Sequence, residues 1–197
     1  MKFSLLITAL FIIFSGCSED FVPKPAGYFR IDFPKKEYRP YNADVPYFFE
    51  YPEYAIIRPD TVKKAEPYWI NIDIPIFKAS IYISFKAIKK NDSALTEDSR
   101  KLAYKHSIMA DAINEKQYVD NENKVYGVLY DIKGNVASSI QFYLTDSVKN
   151  FLRGALYFNS SPNKDSLSPV IGFIRKDIDH LIQTLRWKEV AAGKRKK

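Results

Sequence analysis

Few side chains in this chain have both the type and the spacing to do chemistry. There is one cysteine, Cys17, and there are two histidines, His106 and His180. A single thiol can accept a covalent group, but it cannot close an internal disulfide or supply a cysteine-based metal site. His106 falls on an apolar stripe, where a hydrogen-bonded core histidine is the expected role. His180 follows Asp177 by three residues, and an Asp-x-x-His pair without further ligands is a weak metal signal. Two carboxylate pairs, Asp120 with Glu122 and Asp177 with Asp179, are spaced by two. Helical residues two apart point away from each other, and Asp120–Glu122 sits in a turn, so neither pair reads as an acid–base dyad. The seven glycines form no phosphate-cradling pattern, and no Gly-x-Ser-x-Gly elbow occurs. The residues predict no catalytic site, no metal and no cofactor.

Cys17 gains its meaning from what precedes it. Lys2 supplies a positive start, Leu5 to Phe14 form an apolar run too short to span a bilayer, and Ser15-Gly16 are small. That order is a secretory leader. With cysteine directly after Ser15-Gly16, it resembles the lipobox of bacterial lipoproteins, which implies cleavage before Cys17 and lipidation of that residue. The expected organisation is a leader over 1–16, a lipidated N-terminus, tether and extended segment over 17–40, a single domain over 41–190 and a basic tail over 191–197. No other apolar run approaches the roughly 18 residues of a membrane helix, so the membrane is reached through the N-terminal lipid.

Composition bounds the rest. At 46% hydrophobic and 27% charged residues the chain can bury a core and is not disordered. The formal charge of +7 suggests nucleic acid until its distribution is considered. With Lys2, Lys194, Arg195, Lys196 and Lys197 set aside, 25 of the 30 basic residues face 23 acidic ones. A nearly neutral body does not predict a nucleic-acid partner. Glu19-Asp20 resembles an export signal of some Bacteroidota lipoproteins and equally fits a hydrated spacer. Val22 to Gly27, with two prolines, reads as a stiff tether.

Tyr28-Phe29-Arg30 and Tyr38-Arg39-Pro40-Tyr41 lie in an aromatic, basic stretch without a clean period. It is expected to run extended along the domain edge. Its composition matches that of interaction hot spots, so Tyr28, Phe29, Arg30, Tyr38, Arg39 and Tyr41 are the candidate partner contacts. Beyond it, period-two alternation predicts strands: Tyr47, Phe49 and Tyr51; Ile70, Ile72 and Ile74; Ile81, Ile83 and Phe85; Val128, Tyr130 and Ile132; Ile140, Phe142 and Leu144; Leu152, Gly154, Leu156 and Phe158. Leu102, His106, Met109 and Ile113 predict a helix from Thr96 to about Tyr118. Ser168 and Pro169 predict the start of a last helix with Ile174, Ile178, Leu181, Ile182 and Leu185 on its buried stripe and Trp187 at its end. Strands, helix, strands, helix with hairpin-like links predict the α+β class, a largely antiparallel sheet of about six strands covered by two main helices. The element order is loosely similar to the PsbP/Mog1-like sandwich, an analogy that transfers no function.

Several longer segments carry a family resemblance. Residues Lys24 to Pro34 (KPAGYFRIDFP), Phe49-Glu50-Tyr51-Pro52, Arg153 to Phe158 (RGALYF), Ser161 to Leu167 (SPNKDSL) and His180 to Trp187 (HLIQTLRW) resemble the gliding-motility lipoprotein GldD family of Bacteroidota. The resemblance implies a non-enzymatic lipoprotein required for gliding and for the associated type IX secretion apparatus. It also implies placement in the cell envelope, with the outer membrane expected, and other gliding and secretion envelope proteins as partners. An envelope binding module for cell-wall glycan or lipid, using exposed aromatics and the basic tail, is the alternative.

Overall fold

The computed structural model describes residues 30–88, 92–105, 108–159 and 164–189. The leader, Cys17, Tyr28, Phe29, His106 and the basic tail lie outside the described residues. The chain runs β1 (Tyr38–Tyr41), β2 (Tyr47–Pro52), β3 (Ile56–Pro59), β4 (Ile70–Ile74), β5 (Ala79–Ala87), α1 (Asp92–Tyr104), β6 (Ala110–Asp120), β7 (Val125–Gly134), β8 (Ile140–Thr145), β9 (Asn150–Phe158), α2 (Lys164–Thr184) and β10 (Arg186–Trp187). Among the described residues every strand pair is antiparallel. Seven strands form one sheet in the order β3-β4-β5-β9-β8-β7-β6, and β1-β2-β10 form a second.

Alternation decides which face of the large sheet is buried. Ile70, Ile72 and Ile74 of β4, Ile81 and Ile83 of β5, Leu152 and Leu156 of β9, and Ile140, Phe142 and Leu144 of β8 point inward. The same core takes in Tyr47, Phe49 and Tyr51 of β2 and Ile174, Ile178, Leu181, Ile182 and Leu185 of α2. The small sheet and α2 thus form one layer over the inner face of the large sheet. Burying each such side chain contributes about 1.5–3 kcal/mol. Gly154 sits between Ile83 and Phe142 in the sheet, and a Cβ there would lie 2.1 Å from the Phe142 ring. On the opposite face, α1 buries Ala103 in a smaller cluster with Tyr130, Ile132 and Val136.

Three expectations are corrected. The stripe Leu102, His106, Met109, Ile113 is not one helix: α1 ends at Tyr104, and residues 110–120 form β6, paired along β7 with a bulge between Ala110 and Ala112. Met109 is 62% exposed, so the helical spacing never marked a buried face. β6 is an edge strand, exposed and charged, and solvation of both faces erases the period-two signal. Thr96 lies within α1, where its hydroxyl donates to the Ser93 carbonyl at 2.9 Å. The last helix starts at Lys164, ahead of Ser168, with Pro169 inside it; Trp187 belongs to β10, which pairs with Tyr47 and Phe48. The α+β class and the largely antiparallel sheet stand: the large sheet has seven strands against about six expected, and the short strands β1 and β10 join β2 in a second sheet.

Candidate functional site

The densest polar cluster joins the N-terminal strap, residues 30–41, to α2. Asp177 lies on the core side of α2 between Ile174, Ile178 and Leu181, and its side chain is 1% exposed. A carboxylate in that stripe is costly unless hydrogen-bonded and charge-compensated. Three groups supply the hydrogen bonds, and one of them, Lys36, the compensating charge. Lys36 Nζ donates to Asp177 Oδ1 at 2.5 Å, the Tyr38 hydroxyl donates to the same oxygen at 2.9 Å, and the Tyr54 hydroxyl donates to Oδ2. Lys36 Nζ also donates to the Phe173 carbonyl at 3.0 Å and stands 3.3 Å from the centroid of the Phe173 ring. Phe33 stacks on the other partner of that contact, with Phe33 and Phe173 centroids 4.4 Å apart.

The electrostatics are those of a closed cluster. Burial pulls the Lys36 pKa below its ordinary value, against the opposing pull of Asp177. Burial first, and then the Asp177 carboxylate, push the Tyr38 and Tyr54 phenols well above theirs. Both phenols therefore keep their protons and act as fixed donors. Next to the cluster the Tyr38 ring stacks on His180 with centroids 3.7 Å apart, and His180 Nε2 lies 2.7 Å from Glu50 Oε2. The Glu50 backbone N–H donates to Thr184 Oγ1 at 3.0 Å, so β2 is tied to the end of α2. The chemistry on offer is attachment: a cation, two phenols and two rings hold the strap on the helix.

The candidate contacts are distributed unevenly. Tyr38 and Tyr41 turn inward, Tyr38 to Asp177 and Tyr41 onto Phe49 with centroids 5.2 Å apart. Arg30 and Arg39 face outward; Arg30 Nε meets Asp32 at 3.1 Å, and Arg39 Nη2 donates to the Ala55 carbonyl at 2.9 Å above the Tyr51 ring. His180 is brought to Glu50, and not to Asp177. Asp179 points away from Asp177 to Tyr118, Lys116 and Arg175, while Asp120 accepts from Asn123. The residues that sequence reading passed over are Phe33, Lys36, Tyr54 and Phe173; Asp177 was weighed only as a metal ligand with His180 and as a pair with Asp179. One signal was available: an aspartate inside an apolar helical stripe requires a partner.

A cavity of about 350 Å³ separates α2 from the end of β7, walled by Asp131, Lys133, Ser139, Ser168, Gly172 and Arg175. Its charged walls are engaged, Lys133 with Asp131 at 3.0 Å and Arg175 with Asp179. Among the described residues no group of three or more His, Cys, Asp or Glu side chains is placed to hold a metal ion. No helix among them is long and apolar enough to cross a membrane.

Three comparisons bear on identity. The family model described as gliding motility lipoprotein GldD matches residues 18–187. No curated protein matches the chain in sequence. Among solved structures, the solution structure of cyanobacterial PsbP (CyanoP) from Synechocystis sp. PCC 6803 is similar with a TM-score of 0.49 and 13% identity, covering 79% of this chain and 95% of that one.

Proposed function

Because the chain belongs to the gliding motility lipoprotein GldD family, we propose that it is a non-catalytic, lipid-anchored assembly component of the gliding apparatus and of the type IX secretion machinery associated with it. The lipid sits on Cys17, and the outer membrane is its site. The observation that carries this reading is the latch. The segment that follows the tether is fixed to α2 and β2 through Lys36, Tyr38, Tyr54 and Asp177, with Phe33 stacked on Phe173. Load that reaches the strap then enters the domain core through these contacts. The titratable groups of the kind catalysis uses, Asp177, Asp179, Glu50 and His180, are each engaged in contacts that hold strap, strand and helix together. Arg30 and Arg39 are exposed and form the described part of the surface offered to a protein partner; Tyr28 and Phe29, the neighbouring candidates, lie outside the described residues.

In-cell photo-crosslinking from positions 30 and 39 of the lipidated protein, followed by mass spectrometry, tests this reading. Capture of gliding or secretion envelope proteins is the expected outcome. Recovery of peptidoglycan fragments alone overturns it in favour of an envelope glycan-binding module.

A further inference from the structure

The outer face of the seven-stranded sheet, opposite α2, carries a positive charge that the fold does not neutralise. Arg153 of β9 lies on that face, between Ser84 of β5 and Tyr143 of β8. Its Nη2 donates to Gln141 Oε1 at 2.5 Å, and among the described residues no carboxylate pairs with it. Burial draws its pKa below the ordinary guanidinium value, with Tyr157 pulling the other way. Gln141 is 2% exposed, and its Nε2 has no hydrogen-bond acceptor. A half-buried guanidinium without a counter-charge, beside a buried amide without an acceptor, costs stability twice. The deficit has one sign and one place: the Arg153 guanidinium lacks an anionic partner, and the Gln141 amide N–H lacks an acceptor.

The surroundings suit a ligand larger than an ion. Strand register sets Asn71, Tyr82, Ala155 and Gln141 in one row across β4, β5, β9 and β8. Asn71 Oδ1, at the other end of the row, is buried without a donor. Tyr82 is 44% exposed and meets Tyr157 edge-on, ring centroids 5.6 Å apart, beside an open hollow that also takes in Ser80 and Asn159. We propose that Arg153 and the hollow beside Tyr82 and Tyr157 form a binding site for a small hydroxyl-bearing ligand with a carboxylate or phosphate group. The oxyanion is received by Arg153, which is partly exposed while Gln141 behind it is not, and the body of the ligand lies against Tyr82 and Tyr157. Charge-assisted hydrogen bonds to a guanidinium are the strong kind and set the specificity for an anion. The site lies on the opposite face from the latch and does not depend on the assembly role.

The test uses the full-length lipoprotein in detergent at constant ionic strength, with thermal unfolding and calorimetric titration as readouts. Glucuronate, glucose 6-phosphate and inorganic phosphate are the probes, each at about 10 mM, and glucose is the neutral control. At least one anionic probe raises the Tm and glucose does not; a response to glucuronate alone identifies a carboxylate ligand, and a response to the phosphates alone a phosphorylated one. Arg153→Met weakens binding about 10- to 100-fold. Gln141→Glu supplies the missing counter-charge from within, so it raises the Tm without ligand and abolishes the probe response. This second variant keeps the test decisive if Arg153→Met does not fold. The proposal is overturned if no anion shifts the Tm, if the shift survives Gln141→Glu, or if Gln141→Glu lowers the Tm.

Discussion

Replacing Asp177 with Asn tests the latch most directly. The substitution keeps the volume, an acceptor oxygen for one tyrosine hydroxyl and an amide N–H that donates to the other, but it removes the charge opposite Lys36. Breaking a buried ion pair by deleting one partner costs about 3–5 kcal/mol, because the other charge stays desolvated. Here the Lys36 side chain is 25% exposed and recovers part of its hydration, while Asp177 is 1% exposed. The retained tyrosine contacts lower the cost further, and about 2–3 kcal/mol is expected, a large share of the 5–15 kcal/mol that holds a typical domain. Equilibrium urea unfolding, followed by the fluorescence of Trp69 and Trp187, measures it as a fall in midpoint at unchanged slope. Adding Lys36→Met removes the stranded cation, so the double variant is less destabilised than the two single losses sum to, by about 1–2 kcal/mol. A loss below about 0.5 kcal/mol for Asp177→Asn, or strict additivity in the cycle, refutes the reasoning that the pair is a buried, coupled latch.

Phe173→Ala removes the ring that carries Phe33 and Lys36; it costs about 2–4 kcal/mol, and amide exchange of residues 30–36 accelerates more than that of β5 or β9. In gliding cells the same variant reduces motility while the protein remains lipidated and present, as immunoblotting checks. Gly154→Ala places a methyl group against the Phe142 ring and costs about 1–3 kcal/mol, read as a lower Tm. Burial pushes the Asp179 carboxyl up, but hydrogen bonds from Arg175 and Tyr118 and the nearby cations outweigh it, so its folded pKa lies below the ordinary value. A depressed carboxyl pKa gives stability that is present above about pH 4 and is lost as the pH falls through the folded pKa. Acid unfolding should therefore be shallower in Asp179→Asn than in the parent protein. At the alkaline end, the raised Tyr38 and Tyr54 values predict stability that is complete below about pH 10 and lost above it, weakened in Tyr54→Phe.

The large sheet was legible because its signal is local. Ile70, Ile72 and Ile74 are buried at every second residue, and so are Ile81, Ile83 and Phe85, as their alternation requires. Ile174, Ile178, Leu181 and Leu185 likewise give α2 its buried stripe. β6 was misread for a physical reason: on an edge, Glu115, Lys116 and Gln117 all face water, and three apolar residues and a histidine happened to fall at helical spacing. β1 and β10 are short strands defined only by the partner they share, β2. Tyr38 and Tyr41 carry the composition of a contact surface, yet β1 pairing aims them at Asp177 and Phe49.

The sequence by itself determined what neighbouring residues encode: the α+β alternation, the near-neutral body and the segments that mark the family, whose match extends over residues 18–187. Only the tertiary structure decided which charges meet. Lys36 and Asp177 are 141 residues apart, and Glu50 and His180 are 130 apart. No periodicity specifies such pairs, because they form only after two sheets and a helix have closed on one core. The same closure leaves Arg153 on the outer face beside Gln141, without a carboxylate among the described residues to meet it.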